Sequence, residues 1–194
     1  MDNSPIAIET HPFPPYIPDG AKVLIMGTFP PGSHRWGMEF YYPNRTNDFW
    51  FMMGLIFFGD RDALYDRPNR SFRLEKIKHL LNERKIALSD TGYKIRRLKG
   101  NASDKYLEIL EPVNLDSLLE RMPECRGIGT TGEKAADIIA SLTGTDAPKI
   151  GEFVKTGDGK IEIWRMPSTS RAYPLALEKK AAFYEKMFRH VDVI

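Results

Sequence analysis

The 194-residue chain has a single cysteine, Cys125, and almost no excess of charge, with 28 basic against 26 acidic residues. One cysteine excludes an intrachain disulfide and any site built from several cysteine ligands. No run approaches the roughly 18 uncharged apolar residues of a membrane span. The amino terminus lacks the basic start and apolar centre of a secretory signal. We therefore expect a cytoplasmic protein with no membrane partner.

Histidine is also scarce, and its spacing does not suit a metal site. The four histidines, at positions 11, 34, 79 and 190, are too scattered along the chain to form a ligand motif. We treat them as non-catalytic and expect no bound metal. The net charge of +2 is too small to indicate a partner, because attraction to phosphate depends on the local density of Lys and Arg.

What the chain does contain is enough apolar sequence for one compact domain, with 42% hydrophobic and 28% charged residues. Residues 1–21 are rich in proline, which favours an extended arm lying on the domain. Residues 22–194 show neither a linker nor an internal repeat. The sequence predicts an arm followed by a single domain.

Short apolar runs alternate with longer amphipathic segments along that domain. The predicted strands are 22–26, 86–90, 126–130 and 161–164, and the last pairs with 153–155 as a hairpin. The predicted helices are 48–58, 71–85, 115–122, a segment ending at Gly144, and 174–190. Strands separated by helices indicate an α/β fold with a mainly parallel sheet covered on both faces.

The loops after Met26, Leu88, Thr130 and Trp164 are expected to share the sheet edge where ligands bind. The first of them has the glycine spacing of a phosphate loop, but His34 stands where that motif requires Lys followed by Ser or Thr. This difference argues against a nucleotide triphosphatase. Backbone amides in the loop could face an anion or a carbonyl oxygen, or the loop could be a purely structural turn.

Two further segments could contact a nucleic acid. Aromatic residues at 40–42 precede Asn47, a combination that suits a flat heterocycle, although the rings could instead be core and Asn47 a helix cap. Residues 84–105 carry seven basic residues against Asp90 and Asp104 only. They could neutralise phosphates or form a solvated face.

Six segments, taken in order, resemble the uracil-DNA glycosylase superfamily, above all its hypoxanthine-DNA glycosylase-like branch and more distantly its mismatch-specific uracil enzymes. They are Val23–Pro30, Tyr41–Tyr42, Asn47–Trp50, Ile86–Asp90, Thr130–Ala135 and Met166–Ser170. The resemblance covers 22 to about 190. It implies a three-layer α/β/α sandwich with a four-stranded, mainly parallel sheet. It also implies hydrolysis of the N-glycosidic bond of a deaminated base in DNA, without a cofactor, by a monomer.

The resemblance assigns roles residue by residue. Asn47 matches the residue that is catalytic in the hypoxanthine branch. The base pocket is assigned to Gly27, Thr28, Phe29, Tyr42 and Asp90, with Tyr42 stacking on the base. Contact with the DNA backbone is assigned to Ser168, Thr169, Ser170 and Arg171. Asp90 could accept a hydrogen bond from the base or simply cap a turn.

Two departures from the superfamily pattern leave alternatives open. Thr28 stands where the mismatch-specific enzymes keep a water-activating Asn, and Met166 replaces the His found in the most active uracil enzymes. We expect a monofunctional DNA glycosylase acting on uracil or hypoxanthine in base excision repair. The alternatives are a nucleic-acid-binding module that has lost catalysis and a hydrolase of small nucleosides.

Overall fold

The computed structural model describes residues 6–99 and 104–194, in which helices and strands alternate along most of the chain. The helices are α1 (Phe49–Phe58), α2 (Leu74–Arg84), α3 (Leu115–Glu120), α4 (Glu133–Thr143) and α5 (Leu177–His190). The strands are β1 (Ile8–Thr10), β2 (Val23–Gly27), β3 (Tyr65–Asp66), β4 (Ser71–Phe72), β5 (Ile86–Asp90), β6 (Gly92–Arg97), β7 (Leu107–Pro112), β8 (Gly127–Thr131), β9 (Phe153–Lys155) and β10 (Glu162–Met166).

The central sheet has the strand order β5-β2-β8-β10-β9. The first four strands run parallel, which confirms the predicted α/β fold with a mainly parallel sheet. The predicted number of four strands is wrong, because the described residues form five. The extra strand is β9, which pairs antiparallel with β10 through the predicted hairpin and covers its outer edge.

Alternating side chains of the central strands pack into two separate cores. Val23 and Ile25 point to one face, where they join apolar residues of α1, α2 and α5. Leu24 and Met26 point to the other face, where they join residues of α3 and α4. Because side chains of a strand alternate between faces, a strand covered on both sides needs apolar side chains in both alternating sets. The result is a three-layer sandwich with helices on both faces of the sheet.

Two helices begin later than their apolar patterns predict. The helix predicted from residue 71 begins at Leu74, because Ser71–Phe72 pairs instead with Tyr65–Asp66 as a two-stranded ribbon. The helix predicted from residue 174 begins at Leu177. Both retain the predicted apolar face against the sheet.

A second sheet, of order β1-β6-β7, contains much of the basic segment and was not predicted. Its basic side chains have acidic partners on neighbouring strands: Lys94 lies 2.6 Å from Glu111, and Arg97 lies 2.7 Å from Glu9. The sheet's cations are thus partly balanced within the protein. This arrangement is closer to the predicted solvated face than to a free phosphate-binding patch.

The proline-rich arm follows the surface of the domain. After β1, Tyr16 exchanges two backbone hydrogen bonds of 2.9 Å with Leu88 of β5. The arm therefore lies along β5, the edge strand of the central sheet. The first five residues of the predicted arm lie outside the described residues. Across the described ranges, none of the helices combines the length and the apolar character needed to cross a membrane.

Candidate active site

The carboxyl ends of β2, β5, β8 and β10 open into a cleft of about 810 Å³. Ligands of parallel sheets bind at this edge, where strand ends meet the following loops. Every residue given a site role by the resemblance lines the cleft: Gly27, Thr28, Phe29, Tyr42, Asn47, Asp90, Ser168, Thr169, Ser170 and Arg171. Distant segments of the chain therefore converge on one cavity, while the role of each side chain remains a prediction.

Gly27 and Asp90 lie side by side because β2 and β5 end in register. The Gly27 N–H donates to Asp90 Oδ1 at 3.1 Å. A Cβ atom on residue 27 would stand only 2.8 Å from that oxygen, closer than side-chain atoms approach. The missing side chain of Gly27 is what allows the carboxylate to reach the end of the neighbouring strand.

Gly27→Ala is expected to lower the free energy of unfolding by about 1–3 kcal/mol, because the added methyl group would come too close to Asp90 Oδ1 and force the two strand ends to shift. Thermal unfolding followed by circular dichroism measures this loss. Gly157→Ala is the matched control, since nothing lies within 4 Å of its added Cβ atom. Equal melting temperatures for the two variants would contradict the close approach of Asp90.

A side chain from the amino-terminal arm holds the second oxygen of Asp90. His11 Nε2 lies 2.9 Å from Asp90 Oδ2, and the two side chains are only 6% and 8% exposed. The imidazole stacks on Tyr41, with ring centroids 5.6 Å apart, and meets Phe29 edge-on. Sequence reasoning treated His11 as non-catalytic and missed this pair, because no local pattern links the arm to the end of β5.

Tyr42 forms an aromatic wall of the cleft. Its ring stacks on Phe49 with centroids 3.8 Å and planes 18° apart, and its hydroxyl lies 3.3 Å from Thr131 Oγ1. Its φ of 52° is a left-handed conformation that is uncommon for a bulky residue and persists only where packing enforces it. Burial, and then the charge of Asp90, raise the pKa of Tyr42 well above its usual value. The phenol therefore stays protonated.

Asn47 lies just before α1, and its backbone forms an antiparallel bridge with Ser170, which holds these two cleft-lining residues side by side. Its Oδ1 accepts a hydrogen bond of 2.9 Å from the Phe49 N–H, which satisfies one of the unpaired amides at the start of a helix. This contact fixes which end of the side chain is the carbonyl. No residue within 6–99 or 104–194 accepts from the NH2 group, which leaves it as the donor available to a ligand.

A buried ion pair ties the start of α1 to the loop that follows β10. Lys180 Nζ is fully buried and lies 2.9 Å from Asp48 Oδ2 and 2.8 Å from the Ser170 carbonyl oxygen. Asp48 Oδ1 accepts from Arg171 Nε at 3.0 Å, and the Asp48 N–H donates to the Thr169 carbonyl at 2.8 Å. The Arg171 guanidinium, predicted to contact DNA, thus has an internal partner, although its side chain is 49% exposed.

A second carboxylate reaches the cleft from the turn before β7. Thr28 Oγ1 donates to Asp104 Oδ2 at 3.0 Å, and Lys134 Nζ donates to the Asp104 carbonyl oxygen at 2.9 Å. The pKa of Asp104 is raised, chiefly because the surrounding protein desolvates its carboxyl group, although part of the residue remains exposed. Sequence analysis counted Asp104 only among the charges of the basic segment, since no motif marks it.

The polar groups that line the cleft are hydroxyls, amides, carboxylates and the cations Arg35, Lys105 and Arg171. In the part of the chain that the structure describes, no group of three or more His, Cys, Asp or Glu side chains is arranged to hold a metal ion.

Comparison with known proteins establishes the family. A Methanosarcina barkeri protein named hypoxanthine DNA glycosylase is 31% identical over 126 residues, which are 64% of this chain and 72% of the relative. The chain belongs to the uracil-DNA glycosylase superfamily, in its hypoxanthine-DNA glycosylase-like branch. The resemblance predicted from the sequence is confirmed.

Further members of the uracil-DNA glycosylase superfamily match nearly the whole chain. A Methanosarcina acetivorans protein, also named hypoxanthine DNA glycosylase, is 27% identical over 180 residues, 92% of this chain and 97% of the relative. The solution NMR structure of a Methanosarcina acetivorans protein named as a candidate uracil DNA glycosylase has a TM-score of 0.66 at 24% identity, covering 96% of this chain and 99% of that one. The structural likeness supports the fold. No family model matches the chain.

Proposed function

We propose that this chain is a DNA glycosylase that hydrolyses the N-glycosidic bond of uracil or hypoxanthine in a nucleotide swung out of DNA, initiating base excision repair. The observation that carries the proposal is that an aromatic wall, Tyr42, a carboxylate, Asp90, and an amide donor, Asn47, meet in one cleft. The names of the Methanosarcina relatives support the same activity. Water is the nucleophile, and no cofactor takes part.

The carboxylate of Asp90 supports a preference for deaminated bases. An ionised carboxylate only accepts hydrogen bonds. Uracil and hypoxanthine have a ring N–H where cytosine and adenine have a nitrogen lone pair. The N–H of a deaminated base can therefore donate to Asp90, whereas the lone pair of cytosine or adenine is repelled by the carboxylate. Guanine and thymine share the N–H, so their exclusion must depend on the space around the 2-amino group of guanine and the 5-methyl group of thymine. Stacking on Tyr42 adds about 1–3 kcal/mol without selecting a base.

Asn47 is the proposed catalytic donor. Breaking the bond between sugar and base leaves negative charge on the base, and a fixed donor near that charge lowers the barrier. The hydrogen bond between Asn47 Oδ1 and the Phe49 N–H fixes the side chain with its NH2 group as the available donor. Because Oδ1 is engaged, the NH2 group and not the carbonyl is the part of the Asn47 side chain proposed to act on the base.

The loop at 168–171 is the proposed contact with the DNA backbone. It carries three hydroxyl side chains, and Arg171 at its end keeps about half of its side-chain surface exposed despite its bond to Asp48. Arg35 and Lys105 also line the cleft and are exposed. Hydroxyls, backbone amides and cations are the groups that contact phosphate and hold a nucleic acid in register.

Oligonucleotides with one uracil, hypoxanthine or xanthine are expected to acquire an abasic site at that base when incubated with the protein. Matched strands with cytosine or adenine at the same position are expected to stay intact, because their ring nitrogen repels Asp90. Alkali cleavage followed by electrophoresis measures the product in single- and double-stranded substrates.

Two outcomes would contradict the proposal. DNA binding without an abasic product on any of the three bases would favour the nucleic-acid-binding module. Turnover of free nucleosides without turnover of DNA would favour the hydrolase of small nucleosides.

A further inference from the structure

Hydrolysis of a glycosidic bond is assisted by a group that takes a proton from the attacking water. Asp90 is poorly suited to this task, because its two oxygens already contact Gly27 and His11, and the proposed function assigns its remaining acceptor sites to the ring N–H of the nucleobase. Asn47 is a neutral amide, and the raised pKa of Tyr42 keeps its phenol protonated. None of the residues given a role by the sequence is therefore suited to act as the general base.

Asp104 has the geometry that those groups lack. Its Oδ2 accepts from Thr28 Oγ1 at 3.0 Å, which fixes the carboxylate beside the loop after β2. Its Oδ1 has no hydrogen-bond partner among the described residues. Hydrogen bonds to their backbone carbonyls also fix both residues. Lys134 Nζ donates to the Asp104 carbonyl oxygen at 2.9 Å, and the Gly92 N–H donates to the Thr28 carbonyl oxygen at 2.9 Å. Among the residues that the structure describes, the cleft thus contains a carboxylate with one oxygen held and one available.

We infer that Asp104 is the general base of the reaction, an inference that rests on the function proposed above. The water oxygen forms a bond to C1′ of the deoxyribose while the bond from C1′ to the base nitrogen breaks. The electron pair of that bond leaves with the base. The water proton passes to Asp104 Oδ1 and then to solvent, and the base anion takes up a proton in its place. No oxidant or reductant takes part.

The charges around Asp104 suit this role. Desolvation raises its pKa most, and Asp90 raises it further, whereas the Thr28 hydrogen bond and the cations Lys134 and Arg97 lower it. The net result is that the Asp104 pKa lies above the usual aspartate value and so closer to neutral pH. A general base is most effective when its pKa lies near the pH at which the enzyme works. Because the ionised form accepts the proton, activity falls as the pH drops through the Asp104 pKa.

Asp104→Asn is expected to lower kcat for base release by about 10²–10⁴-fold, the usual contribution of a general base, with DNA affinity unchanged. It also removes the acidic limb of the pH–rate profile. Asp137→Asn is the matched control, because it removes the same charge from an exposed position in the adjoining groove and is expected to keep kcat and the acidic limb.

Thr28→Val provides a second variant that retains the carboxylate but loses its anchor. Because the Thr28 hydrogen bond lowers the pKa of Asp104, the acidic limb is expected to move to higher pH. Wild-type kcat in Asp104→Asn, or an unchanged acidic limb, would overturn the inference and leave the glycosylase proposal standing. Absence of any abasic product with the unmodified chain would overturn that proposal, and the inference with it.

Discussion

Asn47→Ala is expected to lower kcat for base release by about 10²–10³-fold, the loss that follows removal of one fixed donor to developing negative charge. DNA affinity is expected to change little, because the interaction with the base strengthens only as the bond breaks. Single-turnover release of uracil or hypoxanthine from an oligonucleotide measures the effect on chemistry separately from binding. The physical reason is the orientation of the side chain, whose Oδ1 is engaged by the Phe49 N–H.

The alanine variant also removes the acceptor for the Phe49 N–H, and loss of such a contact at a helix start costs about 0.5–2 kcal/mol. Asn47→Asp separates the two roles. The aspartate keeps an oxygen for the Phe49 N–H and replaces the NH2 group with an acceptor, which repels the departing base. Normal stability with activity as low as that of Asn47→Ala is expected. Wild-type activity in Asn47→Asp would show that Asn47 acts only through the helix.

The central sheet and its helices could be predicted because their signals are local. Val23–Gly27 and Ile86–Asp90 are buried along their whole length, so both read as apolar runs too short for helices. Gly144 ends α4 in the left-handed conformation that glycine favours, with φ of 64°. Once parallel strands are predicted, Gly27 and Asp90 must lie at the same edge. Much of the cleft follows from that step.

The second sheet could not be predicted, because its strands are recognised only by their partners. The buried apolar side chain of β6 is Ile95. The basic side chains of this strand form ion pairs with Glu9 and Glu111, which are distant in the sequence.

Two of the residues that sequence reasoning missed, His11 and Asp104, depend on this sheet. His11 directly follows β1, and Asp104 lies in the turn before β7. Their positions beside Asp90 and Thr28 could not be predicted, for the same reason as the sheet.

Lys180 was also missed, although its position carries a signal. It lies three residues after Leu177 and four before Tyr184, and both of these residues belong to the buried face of α5. A lysine on such a face is buried only with a charged or hydrogen-bonding partner. The helical pattern therefore indicates that a partner exists. It cannot identify Asp48, which is remote in the chain.

Lys180→Met is expected to lower the free energy of unfolding by about 3–5 kcal/mol, the cost of removing one member of a buried ion pair. Methionine suits the apolar surroundings, but it cannot donate to the Ser170 carbonyl oxygen, which keeps the Tyr173 N–H, and it leaves the Asp48 carboxylate with Arg171 alone. At roughly 2–4 °C per kcal/mol for a chain of this size, the melting temperature falls by about 6–20 °C. Lys179→Met, at the exposed neighbouring position, is expected to change stability by less than about 0.5 kcal/mol.

The same ion pair is expected to position the loop at 168–171, and a double variant separates this effect from stability. Adding Asp48→Asn to Lys180→Met removes the buried carboxylate charge that Lys180 no longer compensates, and is expected to recover part of the lost stability. It restores neither the donor to Ser170 nor the carboxylate that binds Arg171, so the loop stays loosely held. Both the single and the double variant are expected to have a raised KM for DNA. A double variant that recovers stability but keeps the raised KM would show that Lys180 positions the loop. Recovery of both quantities together would show that the ion pair contributes to stability alone.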